Sequence, residues 1–115
     1  MRPLNIERIL GSRHMIEILV FLHNFQPRSK TEIYQMISTS PHMADKLNFL
    51  EEAGLITTFS VEGSRKVLHR LTENGETLAA GLQHLEESSG GNMDEYRADT
   101  MMDLLRYSGK TKQRV

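Results

Sequence analysis

Apolar positions recur at helical spacing through most of the first half of the chain. A first helix is predicted over residues 12–24, with Ser12 as its N-cap, because apolar residues follow one another around much of the circumference. A second helix is predicted to begin at the capping-box pattern of residues 29–32. A third is predicted over residues 41–53, from Pro41 after a Ser40 N-cap to the C-terminal Gly54. The expected buried residues are Ile33, Met36 and Ile37 in the second helix and Met43, Leu47 and Leu50 in the third.

After Gly54 the apolar pattern changes to one that is typical of strands. Residues 55–61 are rich in β-branched and aromatic side chains, residues 62–64 form a tight loop, and residues 65–71 return, which predicts a β-hairpin. Thr72 is expected to cap a fourth helix over residues 73–87. A flexible joint at residues 88–92 then precedes a last helix over residues 93–108 and a polar tail over residues 109–115. The sequence therefore predicts a mainly α fold with a small β-hairpin.

Length and composition place the chain among ordinary single-domain proteins. Its 115 residues suffice for one modest core, and 38% of them are hydrophobic and 25% charged. No apolar run is long enough to span a membrane, and charged residues precede the first apolar stretch, which argues against a secretory signal. There is no cysteine, which excludes disulfides and thiolate metal sites. We therefore expect a cytoplasmic protein that does not interact with membranes.

The net charge of −1 is unevenly distributed along the chain. Residues 1–72 carry +2, residues 73–95 carry −6 and residues 96–115 carry +3. A local basic surface is compatible with this distribution despite the near-neutral total. A large non-specific affinity for DNA is not expected, because that affinity grows with the number of phosphates neutralised.

Three stretches of sequence resemble the winged helix-turn-helix family of bacterial and archaeal regulators. Residues 29–33 (SKTEI) are similar to the start of the family's second helix, and residues 47–56 (LNFLEEAGLI) to the end of its recognition helix and the entry to the wing. Residues 69–75 (HRLTENG) are similar to the exit from the wing into the next helix. The likeness is nearest to the small archaeal-type and MarR- or PadR-like branches. It implies a winged helix-turn-helix domain over residues 1–87, with an additional C-terminal helix, that binds double-stranded DNA and regulates transcription.

The resemblance also implies which residues contact DNA. In this class the second of the paired helices enters the major groove, its N-terminal half against the bases, while phosphate contacts fix the register. The implied DNA-binding residues are Ser40, His42, Asp45 and Lys46 at the third helix, Ser29, Lys30 and Thr31 at the second, and Arg65, Lys66 and Arg70 in the wing.

Each of these positions also has a purely structural interpretation. Capping of the second helix requires only Ser29 and no bound phosphate. Basic residues on the edge of a hairpin also prevent aggregation through that edge. Asp45 departs from the preferred residue types, because a carboxylate accepts from a cytosine amino group but is repelled by phosphates. The near-neutral charge, Asp45 and the acidic fourth helix favour the alternative of a winged-helix module that binds protein rather than DNA.

No sequence pattern indicates catalysis or a cofactor. The five histidines are dispersed without carboxylates at metal-ligand spacing, and there is no nucleophile–base pattern or Gly-rich phosphate loop. We therefore expect no enzyme activity, no metal and no cofactor. A regulator that senses a small effector or a metal has little support, since no ligand constellation is visible.

The apolar residues of the last helix need to be covered. Met101, Met102, Leu104 and Leu105 must be buried either on their own domain or on a partner. DNA-binding domains of this kind usually dimerise, since two recognition helices read two half-sites. We therefore predict a two-fold homodimer through this helix, together with residues 4–10. Folding of the helix back onto its own chain is the alternative.

Overall fold

The computed structural model describes the backbone of residues 1–113 and the side chains of residues 1–107. Within this range the order of elements is α1 Asn5–Gly11, α2 Met15–Phe25, β1 Arg28–Ser29, α3 Lys30–Met36, α4 Met43–Glu52, β2 Ile56–Ser60, β3 Val67–Leu71, α5 Glu73–Ser88 and α6 Met93–Gln113. The chain divides into two compact units, Met1–Leu82 and Gln83–Val115. Residues 114–115 of the predicted polar tail, and the side chains from residue 108 onward, lie outside the described residues.

The three strands form one antiparallel sheet with β3 in the middle, between β1 and β2. The predicted hairpin is confirmed as β2 and β3. β1 was not predicted, because its two residues are too few to show an alternating pattern. One face of the sheet buries Ile56, His69 and Leu71, whereas Arg70 on the opposite face is exposed.

α2 provides the centre of the core of the first unit. Its side chains Ile18, Leu19 and Leu22 have no exposed surface, and Phe21 is 2% exposed. Ile33 of α3 and Met43 and Leu50 of α4 are equally inaccessible. Burial of one such side chain stabilises the fold by about 1.5–3 kcal/mol. The inward face predicted for the third helix is confirmed, whereas only Ile33 of the three residues predicted for the second is fully buried.

The N-terminal part of the chain differs from the prediction. The sequence pattern placed one helix over residues 12–24, but there are two helices, and α2 begins only at Met15. Ser12 has extended backbone angles (φ −96°, ψ 128°) and ends α1, its amide donating to the carbonyl of Ile9 at 3.3 Å. Its hydroxyl is buried without a hydrogen-bond partner among the described residues. The prediction of Ser12 as an N-cap is therefore wrong, because its backbone already serves the preceding helix.

The start of α3 matches the predicted capping box. The hydroxyl of Ser29 accepts a hydrogen bond from the amide of Glu32 at 3.2 Å, and Oε1 of Glu32 accepts one from the amide of Ser29 at 3.1 Å. Two otherwise unpaired amides of the first helical turn are thereby satisfied within the protein.

α4 begins two residues later than predicted, at Met43. Pro41 and His42 form a turn, in which the hydroxyl of Ser40 accepts from the amide of His42 at 3.3 Å. His42 has φ −84° and ψ −2°, values typical of the end of a turn, and helical hydrogen bonding begins with the amide of Lys46 donating to the carbonyl of His42 at 3.2 Å. Ser40 therefore stabilises the turn that leads into the helix.

The C-terminal end of α4 follows the prediction. Gly54 has φ +75°, the left-handed conformation that glycine adopts without strain. The amide of Leu55 donates to the carbonyl of Leu50 at 2.9 Å, and that of Gly54 to the carbonyl of Glu51 at 3.0 Å. This pair of bonds is a Schellman motif, which ends the helix and directs the chain into β2.

α5 begins where three elements of the first unit meet. The hydroxyl of Thr72 accepts from the amide of Gly75 at 3.1 Å, which confirms the predicted cap. Gln26, at the end of α2, accepts from the amide of Leu71 at 2.7 Å and donates to the carboxylate of Glu76. One uncharged side chain thus connects α2, β3 and the first turn of α5.

The second unit contains the end of α5, the hydrogen-bonded turn of residues 89–92 and α6. Gly90 has φ +94°, and the amide of Gly91 donates to the carbonyl of Glu86 at 2.9 Å, so a second Schellman motif occupies the predicted joint. Asn92 caps α6 by accepting from the amide of Glu95 at 3.1 Å. α6 continues to Gln113, beyond the predicted end at residue 108.

Candidate nucleic-acid interface

The outer side of α4 is uncovered. Met43, Leu47 and Leu50 hold the helix against the core, and His42, Asp45, Asn48 and Glu52 on the other side are exposed. The ten residues of the helix make this polar surface about 15 Å long.

The residues predicted to read bases lie together at the N-terminal end of α4. His42, Asp45 and Lys46 are three and four positions apart, so they occupy adjacent turns of one side of the helix. His42 and Asp45 are exposed and Lys46 is half-buried. Lys46 offers donors and ionised Asp45 only acceptors. Asp45 also lies in the first turn, where the helix dipole favours a carboxylate, so it stabilises α4 independently of any ligand.

The charge of α4 does not by itself attract DNA. Within Met43–Glu52, Lys46 is the one basic residue, while Asp45, Glu51 and Glu52 are acidic, which gives the helix a net charge of −2. Glu51 and Glu52 lie at its C-terminal end, away from the predicted base-reading residues. Attraction to phosphate must therefore come from neighbouring elements.

At the start of α3, Ser29 is already used for capping. Glu32 also pairs with Arg28, whose Nη1 lies 2.9 Å from Oε2. Partial burial opposes ionisation of Glu32, but hydrogen bonding to the Ser29 amide and the Arg28 guanidinium together lower the pKa of the carboxyl below its ordinary value. The charged carboxylate of Glu32 therefore occupies the N-terminal end of α3, the position at which helices bind anions. Lys30 and Thr31 are exposed and uncommitted to the cap.

The wing consists of β2, β3 and the loop of residues 61–66 between them. The returning strand was predicted to begin at Arg65, but β3 begins at Val67, so Arg65 and Lys66 lie in the loop. The strand begins later because the amide of Lys66 donates to the hydroxyl of Ser64 at 3.1 Å, a bond within the loop. Arg65 and Lys66 are both exposed and make no ion pair within the described part of the chain.

Arg70 is not part of the basic loop. It is four residues beyond Lys66 along β3, which corresponds to about 13 Å of strand. Its guanidinium carbon lies 5.0 Å from the ring centroid of Phe59, and the side chain remains exposed on the outer face of the sheet. The ring therefore holds a cation at the base of the wing rather than at its tip.

Arg8 of α1 contacts the outer side of α4, a contact that the sequence analysis did not identify. Its guanidinium carbon lies 5.4 Å from the ring centroid of Phe49, which is half-buried on the flank of α4. Because the two residues belong to different helices far apart in the sequence, no local pattern could have revealed this contact.

His69 is a second feature that the sequence did not single out. It is 5% exposed on the core face of β3, and its Nδ1 is buried without a hydrogen-bond partner among the described residues. Burial lowers its pKa, and the Lys30 ammonium acts in the same direction, while Glu51 opposes both. The imidazole is therefore a neutral member of the core beneath the candidate interface.

The residues predicted to form a dimer divide into two groups. Met101, Met102 and Leu105 are 46%, 60% and 60% exposed, whereas Leu104 is half-buried. At helical spacing the three exposed residues share one side of α6, and Leu104 lies at the edge of that side next to Met101. In α1, which corresponds to the predicted N-terminal segment, Ile6 and Leu10 are exposed and Ile9 is buried.

The described residues contain neither a metal-ligand cluster nor a membrane-spanning helix. No group of three or more histidine or acidic side chains there could hold a metal ion. Among the helices of residues 1–113, none is both long and apolar enough to cross a bilayer.

A pair of short helices whose second member is exposed, followed directly by an antiparallel wing, defines the winged helix-turn-helix class of DNA-binding transcriptional regulators. Within that class the chain belongs to the HxlR-like helix-turn-helix family, whose sequence model matches residues 9–97. The class that the sequence predicted is therefore confirmed.

Solved structures of regulators share this architecture. The chain is similar to a possible HxlR family transcriptional factor from Thermoplasma volcanium, with a TM-score of 0.61 and 18% identity over 78% of this chain and 84% of that one. It is similar to diamide-treated YodB from B. subtilis, with a TM-score of 0.58 and 26% identity over 76% and 91% of the two chains. A mutant of MepR from a multidrug resistant S. aureus clinical isolate has a TM-score of 0.58 and 17% identity over 92% and 83%. No curated protein sequence matches the chain significantly.

Proposed function

We propose that this cytoplasmic regulator binds specific DNA sequences as a homodimer, with α4 in the major groove and the wing on the backbone or in the minor groove. The observation that carries the proposal is the uncovered side of α4, whose N-terminal end presents His42, Asp45 and Lys46. Occupancy near a promoter would then regulate transcription by hindering polymerase or by recruiting it.

The three residues have different roles in this proposal. The major groove is about 12 Å wide and admits one helix, and its base edges present distinct patterns of donors and acceptors. His42 and Lys46 donate to guanine or to phosphate, and Asp45 accepts from a cytosine amino group. The hydroxyl of Ser40 contacts the adjoining sugar-phosphate backbone of the DNA.

Phosphate contacts come from the elements around α4. Lys30 and Thr31 are exposed next to the Ser29 cap, and Arg65 and Lys66 are exposed in the wing loop. Arg70 makes a secondary contact at the base of the wing. These contacts supply sequence-independent affinity and fix the register, while α4 supplies discrimination between sequences.

The homodimer rests on the exposed apolar side of α6. Met101, Met102 and Leu105 form a continuous group at helical spacing, and Ile6 and Leu10 of α1 are also exposed. In two-fold dimers of this class, two recognition helices read half-sites about 34–36 Å apart.

Fluorescence anisotropy with a random duplex, followed by selection of bound genomic fragments, tests the proposal. Each phosphate contact contributes about 0.9 to the slope of log affinity against log salt, so R65A combined with K66A should lower that slope by about 2 per bound protomer. The double variant should weaken all sequences similarly, whereas H42A should change sequence preference. R106A, which removes one positive charge from α6, is the control for net charge.

A second candidate function is a module that binds another protein. The observation that favours it is the net charge of −2 on α4, which phosphate would repel. Failure of a folded dimer to bind any duplex at about 50 mM salt would reject the DNA proposal and leave this one.

A further inference from the structure

α1 places a cation on the flank of the recognition helix. The guanidinium carbon of Arg8 lies 5.4 Å from the ring centroid of Phe49. Ile9, the next residue of α1, is 2% exposed, so the helix is anchored in the core at this point. The buried neighbour therefore fixes the backbone of α1 at this point, and the ring contact orients the guanidinium.

Phe49 belongs to the outer half of α4. It follows Asp45 by four residues and Lys46 by three, so its ring lies one turn beyond the residues proposed to read bases. Its half-buried ring lies between the buried stripe of Met43, Leu47 and Leu50 and the exposed side. A side chain stacked on this ring is consequently at the rim of the proposed DNA-facing surface.

The guanidinium is available for a ligand. Arg8 is exposed, and it makes no ion pair or hydrogen bond to another described side chain. A guanidinium in contact with a ring face keeps N–H groups that can donate to phosphate oxygens. α4 has a net charge of −2 and needs such a cation to approach the DNA backbone.

We propose that Arg8 contacts a DNA phosphate beside the major groove, and that Phe49 is the positioning residue that orients its guanidinium. The inference rests on the proposed function, because it assumes that α4 approaches DNA. It assigns a binding role to α1, and its residue lies just before the segment matched by the family model.

The test measures the affinity for a random duplex between about 50 mM and about 200 mM salt for the wild type, R8Q, R8K and the charge control R106Q. Loss of one phosphate contact lowers the magnitude of the slope of log affinity against log salt by about 0.9. For R8Q, the decline in affinity over this fourfold range of salt should therefore be about threefold smaller per bound protomer. R8K keeps the charge and should restore the slope. R106Q should leave the slope unchanged.

Phe49 is tested by F49L, which keeps the charge of Arg8 but removes the ring. The proposal expects a slope between those of the wild type and R8Q. Thermal unfolding of all variants is recorded in parallel. If the contact between Arg8 and Phe49 only stabilised the fold, R8Q and R8K would lower the melting temperature without changing the salt dependence of binding.

The failure of this inference is distinguishable from failure of the proposed function. A wild type that binds DNA while R8Q has the same slope as the wild type overturns the role of Arg8 alone. A folded wild type that binds no duplex at low salt overturns both. An R8K slope equal to that of R8Q also counts against a phosphate contact.

Discussion

The hydroxyl of Thr72 donates a hydrogen bond to the carbonyl oxygen of Gly54, 2.6 Å away. The same hydroxyl accepts from the amide of Gly75 at 3.1 Å, and the amide of Thr72 donates to the carbonyl of Leu55 at 3.0 Å. The residue that caps α5 is therefore bonded to the turn that ends α4. The two helices keep a fixed separation at this junction, which supports the C-terminal end of α4.

Replacing Thr72 by alanine should destabilise the protein by about 1 kcal/mol, because the first turn of α5 loses its cap. For a chain of this size that loss lowers the melting temperature by about 4 °C. T72S keeps the hydroxyl and should retain most of the stability. Thermal unfolding followed by circular dichroism compares the two variants, and equal melting temperatures for both would show that the hydroxyl has no role.

Two glycines of α5 should respond in opposite directions to alanine. A Cβ on Gly75 would overlap the carbonyl oxygen of Leu55, which is itself held by the amide of Thr72. We expect G75A to cost about 3 kcal/mol or more. Gly81 is exposed and has no neighbour within 4 Å of a Cβ, so G81A should stabilise the helix by about 0.5–1 kcal/mol. Urea unfolding measures both, and similar free energies of unfolding for the pair would contradict the close approach at Gly75.

Protonation of His69 should make stability depend on pH. Its pKa in the folded protein is lowered from the ordinary 6.5, so the unfolded chain binds more protons between the two values. The contribution of neutral His69 to the free energy of unfolding is therefore complete above pH 6.5. It is lost as the pH falls through 6.5 towards the pKa of the folded protein, and below that pKa there is no further loss.

H69L removes this titration while filling the site with an apolar side chain. Urea unfolding at about pH 7.5 and about pH 5.5 should show a smaller loss of stability for H69L than for the wild type. The other histidines are present in both proteins, so the difference isolates His69. The same pH dependence in both would mean that the imidazole is not buried as a neutral group.

Replacing Met101, Met102 and Leu105 together by glutamine should dissociate the proposed homodimer. Burial of each apolar side chain contributes about 1.5–3 kcal/mol, so losing these contacts from both subunits should raise the dissociation constant by at least about a hundredfold. Glu62 is exposed in the wing loop rather than on α6, and E62Q is the control. Sedimentation equilibrium measures the mass of each, and a monomeric wild type would reject the dimer.

The local signals of the sequence predicted those parts of the fold that are set within a few residues. The Ser29–Glu32 capping box, the Gly54 helix end and the Thr72 cap each depend on hydrogen bonds within one or two turns. Residue types at fixed spacing are sufficient for such features. The buried stripe of α4 was predictable for the same reason, since it repeats with the helical period.

The features that sequence reasoning missed depend on contacts between distant residues. The hydroxyl of Ser12 suggested an N-cap, but the end of α1 determines its backbone. β1 exists because Arg28 pairs with His69, and the contact of Arg8 with Phe49 joins separate helices. No window along the chain contains both partners of either contact. The proposed base-reading role of the exposed residues of α4 depends on the DNA sequence, which the fold of the free protein does not determine.

Because Glu32 supplies the anion at the first turn of α3, the helix does not have to be completed by a phosphate. The paired helices are shaped in advance of any encounter, and little conformational entropy is lost there on association. Under the proposed function, selectivity comes from the match between side chains and base edges rather than from folding of the helices on the target. A regulator that binds in the proposed way would sample many DNA sites rapidly and remain only where α4 fits.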